Sequence, residues 1–309
     1  MEFTKMHGIG NDYVFFNLLD HPEIEEAMDW AALSRAVSDR HKGVGSDGII
    51  LILRPREKGQ FRMRIFNADG SEGEMCGNGI RCLGRFVYDH GYTGEREFDV
   101  ETKAGLRHLQ LHIDAAGYAS EITVDMGVPQ PIPMNHPVVI PLRDFPGGYR
   151  RYAFTNPPYD FWVGAEVAGI PISLGNPHLV VFVAKAADVP VDSAGPVLEV
   201  HRAFPNRTNV EFVETLPDER RLLVRVWERG SGETQACGTG ACAAAVAAIV
   251  GNEFRDQSSD RVTVSLPGGD LEIRWRGPGE HLFMRGPAEE VYSGRLAASF
   301  LAAVARSGR

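Results

Sequence analysis

Two cysteines stand in matching surroundings far apart in the chain. Cys76 lies in Glu72-Gly73-Glu74-Met75-Cys76-Gly77-Asn78-Gly79, and Cys237 in Glu233-Thr234-Gln235-Ala236-Cys237-Gly238-Thr239-Gly240. Each follows a strand-like stretch and a polar glycine loop, and each opens a helix-like stretch. A thiol at a helix start sits among unpaired backbone N–H groups at the positive end of the helix dipole. That placement is expected to lower its pKa from about 8.5 to about 3.5–7.5. The glycines beside each thiol let a ligand approach the backbone closely, and the N–H groups there suit a carboxylate. Racemisation or epimerisation at a carbon next to a carboxylate uses these parts. One thiolate takes the proton from one face, an opposing thiol returns one to the other, and N–H donors meet the developing charge.

The asparagines ahead of the cysteines repeat as well. Gly10-Asn11-Asp12-Tyr13-Val14-Phe15-Phe16 resembles Gly175-Asn176-Pro177-His178-Leu179-Val180-Val181-Phe182. Asn11 precedes Cys76 by 65 residues, and Asn176 precedes Cys237 by 61. Two signatures in one order at one spacing point to a duplication. Two similarly folded domains are expected, each offering a cysteine at a helix start, facing each other across a cleft. Gly-Asn is also a common turn pair, and a turn and a ligand contact coexist there without conflict.

The elements that must position these residues show in the hydrophobic periodicity. Phe61 to Phe66 and Leu222 to Trp227 alternate with period two and predict strands. Arg261 to Leu266 and Leu271 to Trp275 flank Pro267-Gly268-Gly269-Asp270 and predict a hairpin. Helices are predicted over Asp29 to Lys42, through Ile80, Leu83 and Val87 up to Gly91, over Ala241 to Val250, and from Arg295 to Ala305. The third is small and apolar all round, which suits a core. Arg81 and Arg85, one turn apart, read as a solvated or salt-bridged helix face. His108 and His112 read as the polar face of a strand. The prolines from Pro129 to Pro141 read as a linker. Phe145 to Gly169, with Tyr149, Tyr152, Tyr159, Phe161 and Trp162, reads as a surface elaboration.

Composition sets outer bounds. The 309 residues are 43% hydrophobic and 24% charged, as in a folded globular protein of about two domains. A net charge of −9 argues against nonspecific binding to nucleic acid or anionic lipid. The N-terminus lacks signal-peptide character, and the apolar run Ala241 to Val250 is too short to span a membrane, so the expectation is a cytoplasmic protein. Four cysteines are too few for a disulfide scaffold. Cys82 and Cys242, further along their helices, read as core. The spacings Cys-x5-Cys and Cys-x4-Cys lack the usual form of a zinc site, so no metal is expected. Nucleotide-binding glycine loops are missing and the few lysines lie outside the signatures, so no cofactor is expected.

The full set of motifs resembles diaminopimelate epimerase. It comprises Met6-His7-Gly8-Ile9-Gly10-Asn11-Asp12, Phe66-Asn67-Ala68-Asp69-Gly70-Ser71, Cys76-Gly77-Asn78-Gly79-Ile80-Arg81-Cys82, Gly175-Asn176-Pro177-His178, Glu228-Arg229-Gly230 and Gly232 to Gly240. The resemblance runs from Met1 to about Gly294. It implies a cofactor-independent isomerase that interconverts LL- and meso-diaminopimelate for lysine and peptidoglycan synthesis. It implies an α+β fold of two pseudo-symmetric domains, each a curled antiparallel β-sheet or barrel around a central helix. The first would span 1–127 and regain about 286–309; the second would span 128–285. Cys76 and Cys237 match the acid/base pair. The N–H groups of Gly77, Asn78, Gly238 and Thr239 would hold the reacting carboxylate. Asn11, Asn67, Asn176, Asn209, Glu228 and Arg229 match the substrate contacts, and Arg229 suits the distal carboxylate because a guanidinium binds one bidentately. His178 matches a residue near the thiols. The only partners implied are the small-molecule substrate and a second copy of the chain in a homodimer. Gly48 departs from family members that carry Gln there, so that contact is expected to be missing or made by water.

Three other functions fit parts of this pattern. A proline-type racemase is expected to carry His where this chain has Asn78. A related isomerase without the thiol pair is at odds with two intact cysteines. A thiol switch would close Cys76 and Cys237 into a disulfide reversibly.

Overall fold

The hairpin that opens the chain carries the first asparagine signature. Glu2–Gly8 and Asn11–Asn17 pair antiparallel, with Gly8 opposite Asn11. The two-residue turn between them needs left-handed backbone, with Ile9 at φ 48° and Gly10 at φ 84°. The second signature forms a similar hairpin from Val167–Ser173 and Pro177–Phe182, with Gly175 at φ 98° in its turn. The structure, a computed structural model, describes residues 1–154 and 167–307. The chain divides into two compact units, Met1–Val124 with Gly286–Arg309, and Asp125–Arg285.

The two units repeat the same order of pairings. In the first, Asn11–Asn17 runs parallel to Gly48–Leu53, which turns back antiparallel on Phe61–Asn67. In the second, Pro177–Phe182 runs parallel to Asn209–Leu216, which turns back on Arg221–Glu228. Parallel neighbours need a crossover, and each unit supplies a helix there, Trp30–Ser38 and Val191–Glu199. A short strand follows, Glu72–Gly73 or Gly232–Thr234, and leads to a cysteine. Then come the helices Gly77–Asp89 and Gly238–Gly251. A second parallel pairing follows each, Phe61–Asn67 with Glu97–Thr102 and Arg221–Glu228 with Arg261–Leu266. An antiparallel hairpin closes the series, Glu97–Thr102 with Gly105–Ile113 and Arg261–Leu266 with Gly269–Trp275. Each antiparallel sheet is thus interrupted twice by parallel neighbours.

Each unit buries apolar side chains on both sides of its sheet. Outside, Leu33 and Val37 join Val14, Phe16, Ile49 and Leu51 in the first unit. Ala194 and Leu198 join Leu179, Val210 and Phe212 in the second. Inside lies the helix that each cysteine starts. Gly238–Gly251 packs against strands on all sides, and only Thr239 and Ile249 escape full burial. That is why its sequence is alanine-rich with no polar face. Gly77–Asp89 meets the same demand with glycine: a Cβ on Gly79 would lie 2.3 Å from Ile50 Cδ1, and one on Gly84 2.8 Å from Leu109 Cδ2.

Several expectations change. Arg81 is not on a solvated face but is fully buried, because its guanidinium ties the helix to the strands around it. Nε donates to the Pro287 carbonyl at 3.1 Å and Nη1 to that of Gly77 at 3.2 Å. Arg85 does pair with acids, with Asp89 at 3.1 Å and Glu289 at 3.0 Å. The Pro129–Pro141 stretch is not a free linker, since Gln130–Pro131 pairs with Val167–Ser173, and Val139–Asp144 pairs with Arg150–Phe154. Tyr149, Tyr152 and Phe154 are core residues of the second unit rather than surface elaboration. Tyr159, Phe161 and Trp162 lie outside the described residues. The helix expected over 29–42 stops at Ser38, where Asp39 Oδ1 accepts the N–H groups of His41 and Lys42 and turns the chain. The final helix starts at Ala298, because Glu289–Arg295 is a strand paired to Glu2–Gly8. Cys82 and Cys242 are fully buried, and His108 sits half-exposed beside Asp99. Among the described residues, no helix is long and apolar enough to cross a membrane.

Candidate active site

Each cysteine is the N-cap of its helix. Both have extended backbone, and the sulfur accepts the N–H three residues on: Gly79 to Cys76 Sγ at 3.4 Å, Gly240 to Cys237 Sγ at 3.3 Å. This is the geometry in which Ser or Asp usually caps a helix. Here the capping atom is also the reactive one. The first-turn N–H groups of Gly77 and Asn78, and of Gly238 and Thr239, belong to the helical positions that lack partners within the helix.

In the first unit Cys76, only partly buried, faces neutral polar groups. Its sulfur lies 3.5 Å from Asn11 Oδ1 and 3.4 Å from Tyr13 Oη, and either oxygen can accept the single thiol hydrogen. Asn78 Nδ2 donates to the same Asn11 oxygen at 3.1 Å. The other end of the Asn11 amide donates to Asp47 Oδ2 at 2.7 Å. Asp47 also accepts the Asp12 N–H, at 3.1 Å, and faces Arg40. Burial raises the Asp47 carboxyl, and the Asp12 charge raises it further against these hydrogen bonds. Burial would raise Asp12 as well, but hydrogen bonds from Arg40 and Lys5 outweigh it and hold that carboxyl low. Asn67 stands at an exposed strand end with its amide donated to Ser71 Oγ at 3.0 Å.

In the second unit Cys237 is only 6% exposed. Thr239 Oγ1 lies 3.6 Å from its sulfur and accepts from Asn176 Nδ2 at 3.3 Å. Asn176 Oδ1 is 3.0 Å from His178 Nε2, and His178 Nδ1 is 2.7 Å from Glu211 Oε1. Glu228 accepts from Thr234 Oγ1 at 2.6 Å. Asn209 sits beside His178 in the parallel ladder and ties backbone together, accepting the Arg229 N–H at 2.9 Å and donating to the Pro177 carbonyl at 2.9 Å. The Arg229 side chain is exposed, with Nη1 donated to the Asn206 carbonyl at 3.1 Å. The structure thus gathers Cys76, Asn78 and Asn11 in one unit, and Cys237, Thr239, Asn176 and His178 in the other.

The expected lowering of the thiol pKa is reversed at Cys237. Burial pushes this thiol well above its ordinary value, and the charges of Glu228 and Glu211 add to the push. The hydrogen bonds from Thr239 and Gly240 pull the other way and are outweighed. A helix start stabilises a thiolate only where water or counter-charge completes its solvation.

Three participants were not singled out in the sequence: Tyr13, Asp47 and Glu211. The signal for Glu211 was present, since a lone acid stands between Val210 and Phe212 on a strand whose first five residues are all buried. Tyr13 is the second residue after Asn11 and so shares its face of the strand. Gly48 is enclosed by backbone, for a Cβ there would lie 2.3 Å from the Phe66 carbonyl oxygen. No side chain at 48 fits this local geometry.

The diaminopimelate epimerase family profile matches residues 3–132 and 171–291. The diaminopimelate epimerase of Agathobacter rectalis is 47% identical over 296 residues, covering 96% of this chain and 99% of that protein. That of Methanococcus maripaludis is 42% identical over 306 residues, covering 96% and 99%. Among solved structures, a phenazine biosynthesis protein of the PhzF family from Bacillus anthracis is similar with TM-score 0.67 at 18% identity, over 96% of this chain and 99% of that chain. A hydroxyproline epimerase from Agrobacterium vitis, solved with trans-4-hydroxy-L-proline, is similar with TM-score 0.66 at 15% identity, over 96% and 92%. These two likenesses show a shared fold.

Proposed function

The chain belongs to the diaminopimelate epimerase family, and from that premise we propose that it epimerises LL-2,6-diaminopimelate to the meso isomer by proton exchange through Cys76 and Cys237. The observation that carries this mechanism is the pair of thiol N-caps, one per unit, each beside an asparagine of the repeated signature. One thiolate removes the α-proton and becomes a thiol. The carbanion's charge spreads into the adjacent carboxylate, where the N–H groups of Gly77, Asn78, Gly238 and Thr239 meet it. The other thiol delivers its proton to the opposite face and becomes the thiolate. One C–H bond breaks and another forms, no electrons are exchanged, and the reverse reaction swaps the roles.

Burial raises the Cys237 thiol, which favours Cys237 as the acid in one direction of the reaction. Once it has given its proton, Gly240 N–H and the Thr239 hydroxyl stand next to the sulfur anion. Asn11, Asn67, Asn176, Asn209, Glu228 and Arg229 orient the substrate, Arg229 through the distal carboxylate. The product serves lysine and peptidoglycan synthesis in the cytoplasm, and the working form is a homodimer, which sedimentation equilibrium tests. The central experiment is NMR in D2O with reduced protein and LL-diaminopimelate. Deuterium entry at one α-carbon together with meso product is expected. A proton spectrum unchanged over hours would overturn the substrate assignment.

A further inference from the structure

Glu211 has no part in the mechanism above, yet its carboxylate is one of the most deeply buried charges in the second unit. It is 0% exposed, on the interior of Asn209–Leu216, and His178 beside it is also 0% exposed. Oε1 lies 2.7 Å from His178 Nδ1, and Oε2 finds no hydrogen-bond partner among the described residues. Gly240 leaves the room it occupies, since a Cβ there would lie 2.8 Å from Glu211 Oε1. A buried carboxylate with one unmet oxygen is costly unless a cation pairs with it. Among the described residues, the only ionisable side chain hydrogen-bonded to it is His178. The second nitrogen of that ring faces a carbonyl oxygen, Asn176 Oδ1, at 3.0 Å.

We propose that Glu211 is a positioning residue: it holds His178 with hydrogen on both ring nitrogens, and the Nε2–H turns the Asn176 carboxamide so that its NH2 faces Thr239 beside Cys237. The consequence runs outward along the chain of contacts. Asn176 Nδ2 donates to Thr239 Oγ1, so the hydroxyl hydrogen of Thr239 is left to point at the Cys237 sulfur, 3.6 Å away. A ring with bare Nε2 would attract the NH2 end instead and turn the carbonyl towards Thr239. The hydroxyl would then donate to Asn176, and the sulfur would lose a donor. The first unit shows the opposite setting. There Asp47 takes the NH2 end of Asn11 directly, and the carbonyl end faces Cys76. The imidazole between Glu211 and Asn176 inverts the amide.

The catalytic part of this proposal rests on the function proposed above; the protonation of the ring does not. The test is nitrogen-15 NMR of the full chain with labelled histidine, with the His178 signals assigned by their loss in His178→Gln. Two protonated ring nitrogens are expected in the native protein at pH 8, and one in Glu211→Gln. A native ring with one bare nitrogen would overturn the proposal, and needs no variant to observe. Glu211→Gln is also expected to lower kcat by about 10- to 100-fold with a smaller change in KM, as misplacement of a hydrogen-bonding group does. Unchanged kcat in a folded Glu211→Gln protein would equally overturn it. A native protein inert towards diaminopimelate, with two protonated nitrogens at His178, would overturn the substrate assignment alone and leave the pairing standing.

Discussion

The surroundings of Cys76 and Cys237 start from the same plan and reach opposite settings. Both sulfurs cap a helix and both have an asparagine from a hairpin turn nearby. Around Cys76 the near groups are neutral, an amide carbonyl and a phenol oxygen, either of which can accept the thiol hydrogen. Around Cys237 the sulfur accepts the Gly240 N–H and lies 3.6 Å from the Thr239 hydroxyl, while burial and then the charges of two carboxylates raise the thiol. Duplication supplies a backbone that can hold a thiol at a helix start. The side chains behind the asparagine, Asp47 in one unit and a Glu211–His178 pair in the other, decide what that thiol meets.

The comparison is broken most severely by removing either sulfur. Cys76→Ala and Cys237→Ala are each expected to slow meso formation by about 10²–10⁴-fold, the usual share of a general acid or base. A variant that kept its rate would show that one unit works alone. Next in size is substrate binding. Arg229→Ala in the second unit is expected to raise KM by about 10- to 100-fold, the loss of charge-assisted hydrogen bonds. Asn67→Ala in the first, which removes a neutral amide, should raise it only several-fold. Equal effects in steady-state kinetics would count against an unequal division of the binding.

Smaller again is the response to alkali. The unfolded thiol of Cys82 gives up its proton near its ordinary 9.0, while burial pushes the folded one up to about 12. Between those values the unfolded chain binds fewer protons, so stability falls as pH rises. The slope is about 1.4 kcal/mol per pH unit for each such thiol. Cys237, pushed the same way, adds a like slope above about pH 9. Cys82→Ala and Cys237→Ser should each remove one share in urea titrations at rising pH. A slope unaltered in both would contradict the burial of these thiols. Last, iodoacetamide should label Cys76 ahead of Cys237 in peptide mass spectra, since Cys76 is the more exposed of the two. The reverse order would mean that burial does not govern their reactivity.

Much of this was legible in the residues. The repeated cysteine and asparagine signatures announced the duplication, and the alanine run of Gly238–Gly251 announced an enclosed helix. Strands with one wet face, such as Arg261–Leu266, alternate plainly in the sequence and in burial. The failures share a cause. Arg81 and the tyrosines at 149 and 152 carry polar atoms, which sent them to the surface in the sequence reading, while Glu211, a lone acid among apolar neighbours, was passed over. Tertiary partners bring them in: Pro287 for Arg81, His178 for Glu211, and the Pro129 carbonyl, 2.8 Å away, for Tyr149. Those partners lie 33 to 206 residues away for the first two and 20 for the third, beyond any local pattern. The pKa of Cys237 failed for the same reason. The helix start is a local feature, whereas the burial and the carboxylates that outweigh it are not.

The sulfur that caps each helix ties chemistry to local folding. An electrophile that alkylates Cys76 or Cys237 replaces the thiol hydrogen and leaves the sulfur its lone pairs, but the added group crowds the first turn, where Gly79 or Gly240 N–H now bonds to that sulfur. Losing a cap costs a helix about 1 kcal/mol. Covalent modification therefore loads a helix end in this protein, by up to about that amount. Its melting temperature can report on occupancy of the thiols without any substrate present. Serine, which caps well and ionises poorly, is the substitution that separates the two roles.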